Sequence, residues 1–133
     1  MTGNRSLLEQ YLDAYNSGEW DRLDEFVTAD YVHNNGEARL DLAAFKRGAA
    51  WIRSGVPDFR VDVEDMIGEG DRVAVRFVGR GAHSGSFAGE TPTGNDIVVH
   101  GITMYRLRDG LIAEDWEAMD EGQLMQQIAP TGA

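Results

Sequence analysis

The chain contains no cysteine, which excludes disulfides, thiolate nucleophiles and zinc–thiolate sites together. It is short of positive charge: 12 lysines and arginines stand against 23 aspartates and glutamates, a net charge of −11. Binding to nucleic acid or to an anionic membrane needs a basic patch that neutralises phosphates, so neither partner is expected. Long apolar runs are missing as well. No stretch approaches the roughly 20 apolar residues of a membrane span, and Met1-Thr2-Gly3-Asn4-Arg5 carries no apolar signal core. The expected location is cytoplasmic. The 3 histidines form neither a His-x-x-x-His nor a His-x-His pair, so no metal site is expected, and no cofactor. Gly81, Gly85, Gly89 and Gly94 have no Gly-Lys-Ser/Thr behind them and open no helix, which excludes a phosphate loop.

What remains suits one domain over residues 1–133: 42% of the residues are hydrophobic, enough for a core, with no repeat, linker or low-complexity tract. Leu7, Leu8, Tyr11, Leu12 and Tyr15 recur at helical spacing behind a Ser6-Leu7-Leu8-Glu9 capping box, and Asn16-Ser17-Gly18 is a stop. Trp20, Leu23, Phe26 and Val27 predict a short second helix. Asp41 is a cap for a third, with an apolar stripe of Leu42, Phe45, Ala49 and Ile52 that ends at Gly55-Val56-Pro57. The period then switches to 2. Strands are predicted from Phe59, from Arg72 to Gly81 and from Ile97 to Arg108, and the last strand follows the Asp109-Gly110 hairpin turn. Asp120 can cap a final short helix with Leu124, Met125 and Ile128. Helices first and antiparallel strands afterwards predict an α+β fold, N-terminal helices packed on a curved antiparallel sheet around a conical pocket.

The last strand is the most informative element. Glu114, Asp115 and Glu117 alternate among apolar neighbours on a strand that the sheet should half bury. At least one is expected to enter a cavity, where burial raises a carboxyl pKa toward the range useful for proton transfer. The hairpin register decides which. A three-residue connection puts Gly101, Thr103 and Tyr105 on the face of Ala113, Asp115 and Glu117; a strict two-residue turn puts His100, Ile102 and Met104 there instead.

Tyr31-Val32-His33-Asn34-Asn35, Val56-Pro57-Asp58-Phe59, the run from Gly81 to Gly94 (Gly-x-His-x-Gly-x-Phe-x-Gly-x-x-Pro-Thr-Gly) and Asp109-Gly110-x-Ile112-x-Glu114-x-Trp116 occur in that order. From about Leu7 to Ile128, the chain resembles the SnoaL-like polyketide cyclases of the nuclear transport factor 2-like superfamily. The resemblance implies a cone-shaped α+β fold and cofactor-free ring closure by an intramolecular aldol reaction. It places the family's acid/base carboxylate on Glu117, with one methylene added, and a polar residue that is often Asn on His33. The family's strand histidine falls on Thr103. It also favours the register that groups Thr103 with Glu117.

The candidate catalytic residues are therefore Glu117, His33, read as part of a polar loop, and Asp115. Two carboxylates on one face would drive one toward its neutral form, an acid beside a base; alternatively Asp115 pairs across the sheet with Arg76 or Arg106. Candidate substrate-binding residues are Thr103, Tyr105 and Arg76 for an oxygen that gains charge, and Trp51, Tyr15 and Phe45 for a flat apolar body. Tyr11 and Trp20 are further aromatic candidates, while His83 and His100 read as structural or interfacial. The expected activity is acid/base catalysis on an apolar oxygenated small molecule. Alternatives are epoxide hydrolysis or isomerisation by paired carboxylates, and non-catalytic binding. An outer sheet face of His100, Ile102, Met104, Ile112 and Trp116 is too apolar for water and predicts a homodimer.

Overall fold

The computed structural model describes residues 2–86, 89 and 91–128. In chain order the elements are helix α1 (Thr2–Ser17), a 3-10 helix (Trp20–Phe26), strands β1 (Val27–Asn35) and β2 (Ala38–Leu40), helix α2 (Leu42–Gly55), strands β3 (Arg60–Glu69), β4 (Arg72–Ala82), β5 (Asp96–Arg108) and β6 (Leu111–Met119), and helix α3 (Glu121–Ile128). The strands form one curved, unclosed sheet in the order β2-β1-β6-β5-β4-β3. All neighbours are antiparallel except β1 and β6, which run parallel. The α+β architecture expected from the sequence is the one observed.

Several local expectations are corrected. Helix α1 begins a turn earlier than Ser6, and Asn4 anchors that extra turn by donating to the Gly70 carbonyl at 3.3 Å. Ser6 is consequently inside the helix, where its hydroxyl accepts from Gln10. The second helix is a 3-10 turn that stops at Phe26, and Val27 already belongs to a strand. His33 lies on that strand, not in a loop. Parallel pairing with β6 supplies the partners that local polarity argued against. Asp41 and Asp120 do cap α2 and α3, accepting from Ala44 N and Gln123 N at 2.9 Å each. Between β4 and β5 the described residues form no helix or strand, and Phe87, Ala88 and Glu90 of the glycine-rich motif lie outside the described residues.

The β5–β6 register has a cause that neither hairpin reading contained. Arg108 pairs with Leu111 across a two-residue turn, with φ of 53° at Asp109 and 76° at Gly110, the left-handed pair that a type I′ turn requires. Alone, that turn would turn Asp115 and Glu117 toward Ile102 and Met104. A β-bulge intervenes: Leu107 pairs with Ile112 but Arg106 with Glu114, so Ala113 is the extra residue. Past the bulge Tyr105 faces Asp115 and Thr103 faces Glu117. Ile112 and Ala113 both turn into the core, so Ile112 is not on the outer face as expected.

The concave side of the sheet meets α1, α2 and the 3-10 helix through Leu8, Tyr11, Leu23, Phe26, Val75, Phe77 and Tyr105, with Leu42 and Phe45 of α2 packed against them. A second apolar cluster, Val56, Phe59, Ile97, Val99, Leu124 and Ile128, ties α3 and the end of α2 to β5. Arg53 clips the helical layer to the sheet, donating to the carbonyls of Tyr15, Asn16 and Phe59 while its guanidinium lies over the Trp20 ring. Between helices and sheet a cavity of about 260 Å³ remains.

Candidate active site

The cavity is walled by Tyr11, Tyr15, Phe45, Phe59, Phe77 and Tyr105 and opens between α2 and α3 beside Trp51 and Met125. Trp51 is 50% exposed and stands at the rim. The polar groups gather on β1, β5 and β6. Alternation along β1 turns Tyr31 and His33 the same way, and alternation along β6 does so for Asp115 and Glu117. Because β1 and β6 are parallel neighbours with His33 opposite Asp115 and Asn35 opposite Glu117, these side chains meet.

Asp115, 2% exposed, is bonded on both oxygens: Tyr31 donates its hydroxyl to Oδ2 at 2.5 Å, and His33 Nδ1 lies 2.5 Å from Oδ1. Asn34 donates to its main-chain carbonyl. Neither arginine expected beside Asp115 is there. Arg106 pairs with Glu114 at 3.2 Å, and Arg76 with Asp65 at 2.6 Å. His33 is 4% exposed and packs edge-on against Phe45, with ring centroids 4.8 Å apart. With Nδ1 committed to Asp115, its Nε2 points at Glu117, whose Oε2 is 4.0 Å away. That separation is too long for a direct hydrogen bond, so both groups are free to bond an atom placed between them.

The electrostatics follow from this packing. Burial pulls His33 down, but the bond to Asp115, the Asp115 charge and nearby Glu117 outweigh it and lift the imidazole above its usual 6.5. Burial pushes Glu117 above its usual 4.5; His33 opposes that rise, and Asp115 and Glu121 add to it. Burial also raises Tyr11, Tyr15 and Tyr105, so their hydroxyls stay protonated. The arrangement offers a carboxylate of raised basicity, an imidazole whose proton affinity is raised by its bond to Asp115, and hydroxyl donors around them.

Of the nine residues singled out from the sequence, the cavity brings together eight: Glu117, His33, Asp115, Thr103, Tyr105, Trp51, Tyr15 and Phe45. Arg76 is excluded. Val75 and Phe77 point inward, so the residue between them must point out, toward Asp65 and Ile102. Trp20 packs on Tyr15 behind the wall, His83 bonds Thr93 in the β4–β5 connection, and His100 lies on the outer face near Gln123. Sequence reasoning missed Tyr31, Asn35 and Glu121. Tyr31 was readable only as an aromatic two residues before His33, a period-2 signal that a loop assignment hides. The described residues bring no three histidines or carboxylates into a cluster fit to hold a metal ion, and none of their helices is long and apolar enough to cross a membrane.

The sequence pattern of the SnoaL-like polyketide cyclases matches residues 5–128. The chain belongs to that family. Solved structures of the same architecture agree. IdmH of Streptomyces antibioticus, described as a candidate polyketide cyclase, is 30% identical, with a TM-score of 0.85 over 93% of this chain and 96% of its own. A candidate SnoaL-like polyketide cyclase from Jannaschia is 26% identical, with a TM-score of 0.86 over 97% and 94%. AclR of Streptomyces galilaeus, described as a candidate hydroxylase, reaches a TM-score of 0.89 over 98% and 87% at 24% identity, a likeness of fold alone. Among curated proteins none matches in sequence. Family membership supports a cyclase-like catalytic role for the SnoaL-like cavity.

Proposed function

We propose that this chain is a cofactor-independent acid/base enzyme that closes a ring in an apolar, oxygenated small molecule of polyketide type. The carrying observation is His33 seated between Asp115, at 2.5 Å, and Glu117, at 4.0 Å, on the wall of an aromatic cavity. Glu117 takes a proton from a carbon next to a carbonyl. Charge then develops on that oxygen, where the Nε2–H of His33 and the hydroxyl of Thr103 or Tyr105 meet it. The enolate carbon attacks a second carbonyl of the same molecule, and the new alkoxide takes the proton held on Glu117, which restores the starting carboxylate. Asp115 acts behind His33, fixing its tautomer and charge, as the acid of a catalytic triad does for its histidine. Since both Asp115 oxygens are already bonded, a paired-carboxylate opening of an epoxide is the weaker reading. IdmH, described as a candidate polyketide cyclase, supports the reaction class.

The test is exchange of solvent deuterium into the acidic C–H of an aromatic β-diketone, followed by NMR. The native protein should accelerate exchange above buffer, and Glu117→Gln should bring it back to the buffer rate. Equal exchange by both proteins would overturn the catalytic assignment and leave the chain a binding module.

A further inference from the structure

We infer that the cavity takes its ligand without negative charge, and that Glu117 and Glu121 make it refuse a free carboxylate, phosphate or sulfate. The inference rests on the proposed use of this cavity, but it concerns which molecules enter rather than what happens to them.

The chain has 12 lysines and arginines, and none of them lines the cavity. Arg53 is committed to three main-chain carbonyls, Lys46 to Asp24, and Arg39 to Asn34 and Glu114, while Arg47 is exposed on α2 and is not part of the lining. Arg76, which the strand pattern made the natural anion partner, is on the far side of the sheet with Asp65. The lining instead holds three carboxylates, Asp115, Glu117 and Glu121. The one cationic candidate, His33, is matched by its bond to Asp115. An anion that reached the free Nε2 of His33 would also lie against Glu117, whose carboxylate is only 4.0 Å from that nitrogen. It would have to surrender its hydration inside an aromatic wall with no unshared cation to replace it. Glu121, exposed and also lining the cavity, adds like charge, and the overall charge of −11 repels anions at longer range. Neutral carbonyl and hydroxyl groups meet no such barrier, since His33, Thr103 and the tyrosines offer donors. The volume, about 260 Å³, compares with the roughly 150 Å³ of an engineered cavity that admits benzene. It suits a fused two-ring body, with any remainder emerging past Trp51 and Met125.

The experiment compares two probes of one shape, 2-naphthamide and 2-naphthoate, by calorimetric titration of the intact protein at pH 8. The amide should bind at least about tenfold more tightly, and Glu121→Arg should narrow that ratio by strengthening naphthoate. Equal binding of the two probes, tighter naphthoate, or a failure of both to bind would each overturn the inference. The outcome separates from that of the catalytic reading. If deuterium exchange survives Glu117→Gln while the amide preference holds, only the catalytic reading falls. If exchange is lost but naphthoate binds as well as the amide, only the present inference falls.

Discussion

The Tyr31 hydroxyl donates to Asp115 Oδ2 at 2.5 Å, on the oxygen that His33 leaves free. In the proposed reaction Tyr31 is thereby a positioning residue, acting through Asp115 and His33. Its removal takes a hydrogen bond from a buried charged group, which costs about 1.5–3 kcal/mol. Tyr31→Phe should lower the urea midpoint accordingly. It should also move the alkaline limb of the rate profile upward, because an Asp115 with one bond fewer holds the His33 proton more tightly. A stability loss with an unmoved pH profile would reduce Tyr31 to packing.

Catalysis as proposed requires Glu117 ionised and His33 protonated. Both are held above their ordinary values, 4.5 and 6.5, so the bell-shaped rate profile should be displaced toward alkaline pH relative to a free glutamate–histidine pair. Asp115→Asn removes the bond and charge that hold His33 up. Its alkaline limb should fall to lower pH, which NMR titration of the imidazole would check directly.

Glu117 has a cost as well as a use. A group whose folded-state pKa is raised adds stability below its unfolded value and loses it as pH climbs through the folded one. For Glu117 that loss starts above 4.5, and for His33 above 6.5. Glu117→Gln cancels the first loss. The variant should therefore gain stability relative to the native protein as pH rises from about 5 to about 8, while losing activity. Denaturant melts of both proteins across that range check the sign, and a stability difference between variant and native that stays flat or shrinks as pH rises would contradict it.

Gly101 on β5 lies opposite Met119, and a Cβ there would run into the Phe77 ring and meet the Ala118 carbonyl at 3.0 Å. Phe77 lines the cavity and cannot retreat without filling it. Gly101→Ala should cost about 1–3 kcal/mol and weaken binding of a two-ring ligand in the same protein. A neutral effect on both would mean that the sheet accommodates the methyl by bending outward.

Ile102, Met104 and Trp116 are 52%, 42% and 37% exposed on the outer face, with Arg72 lying over the Trp116 ring at 5.2 Å. We expect this face to be covered by a second copy. Light scattering should give a dimer at micromolar concentration, and Ile102→Glu a monomer with an intact cavity. A native monomer would overturn the dimer.

The helices, the four strands from Phe59 onward, the caps at Asp41 and Asp120, the shared face of Val73, Val75 and Phe77 and the tight Asp109-Gly110 turn were all legible in the chain. Each follows from a local rule: a side chain that reaches its own backbone, a period of 2 or 3.6, a turn that needs positive φ. Strand β1 was not legible, since the polar run at its end (His33-Asn34-Asn35) is satisfied by β6, which lies about 80 residues further along the chain. Arg76 was misjudged for a related reason. A lone cation in an apolar strand looks buried until the neighbouring strand supplies its aspartate.

The sequence by itself determined that a single strand carries Glu114, Asp115 and Glu117, that no cysteine chemistry is possible, and that the charge is strongly negative. Only the tertiary structure decided which carboxylates enter the cavity and what each one touches. One extra residue at Ala113 rotates Asp115 and Glu117 onto the concave face, and parallel docking of β1 then brings Tyr31 and His33 to Asp115. Side-chain facing on a strand has a period of 2, so a single bulge reverses it, and no count along the chain reveals whether a bulge is there until the sheet is packed.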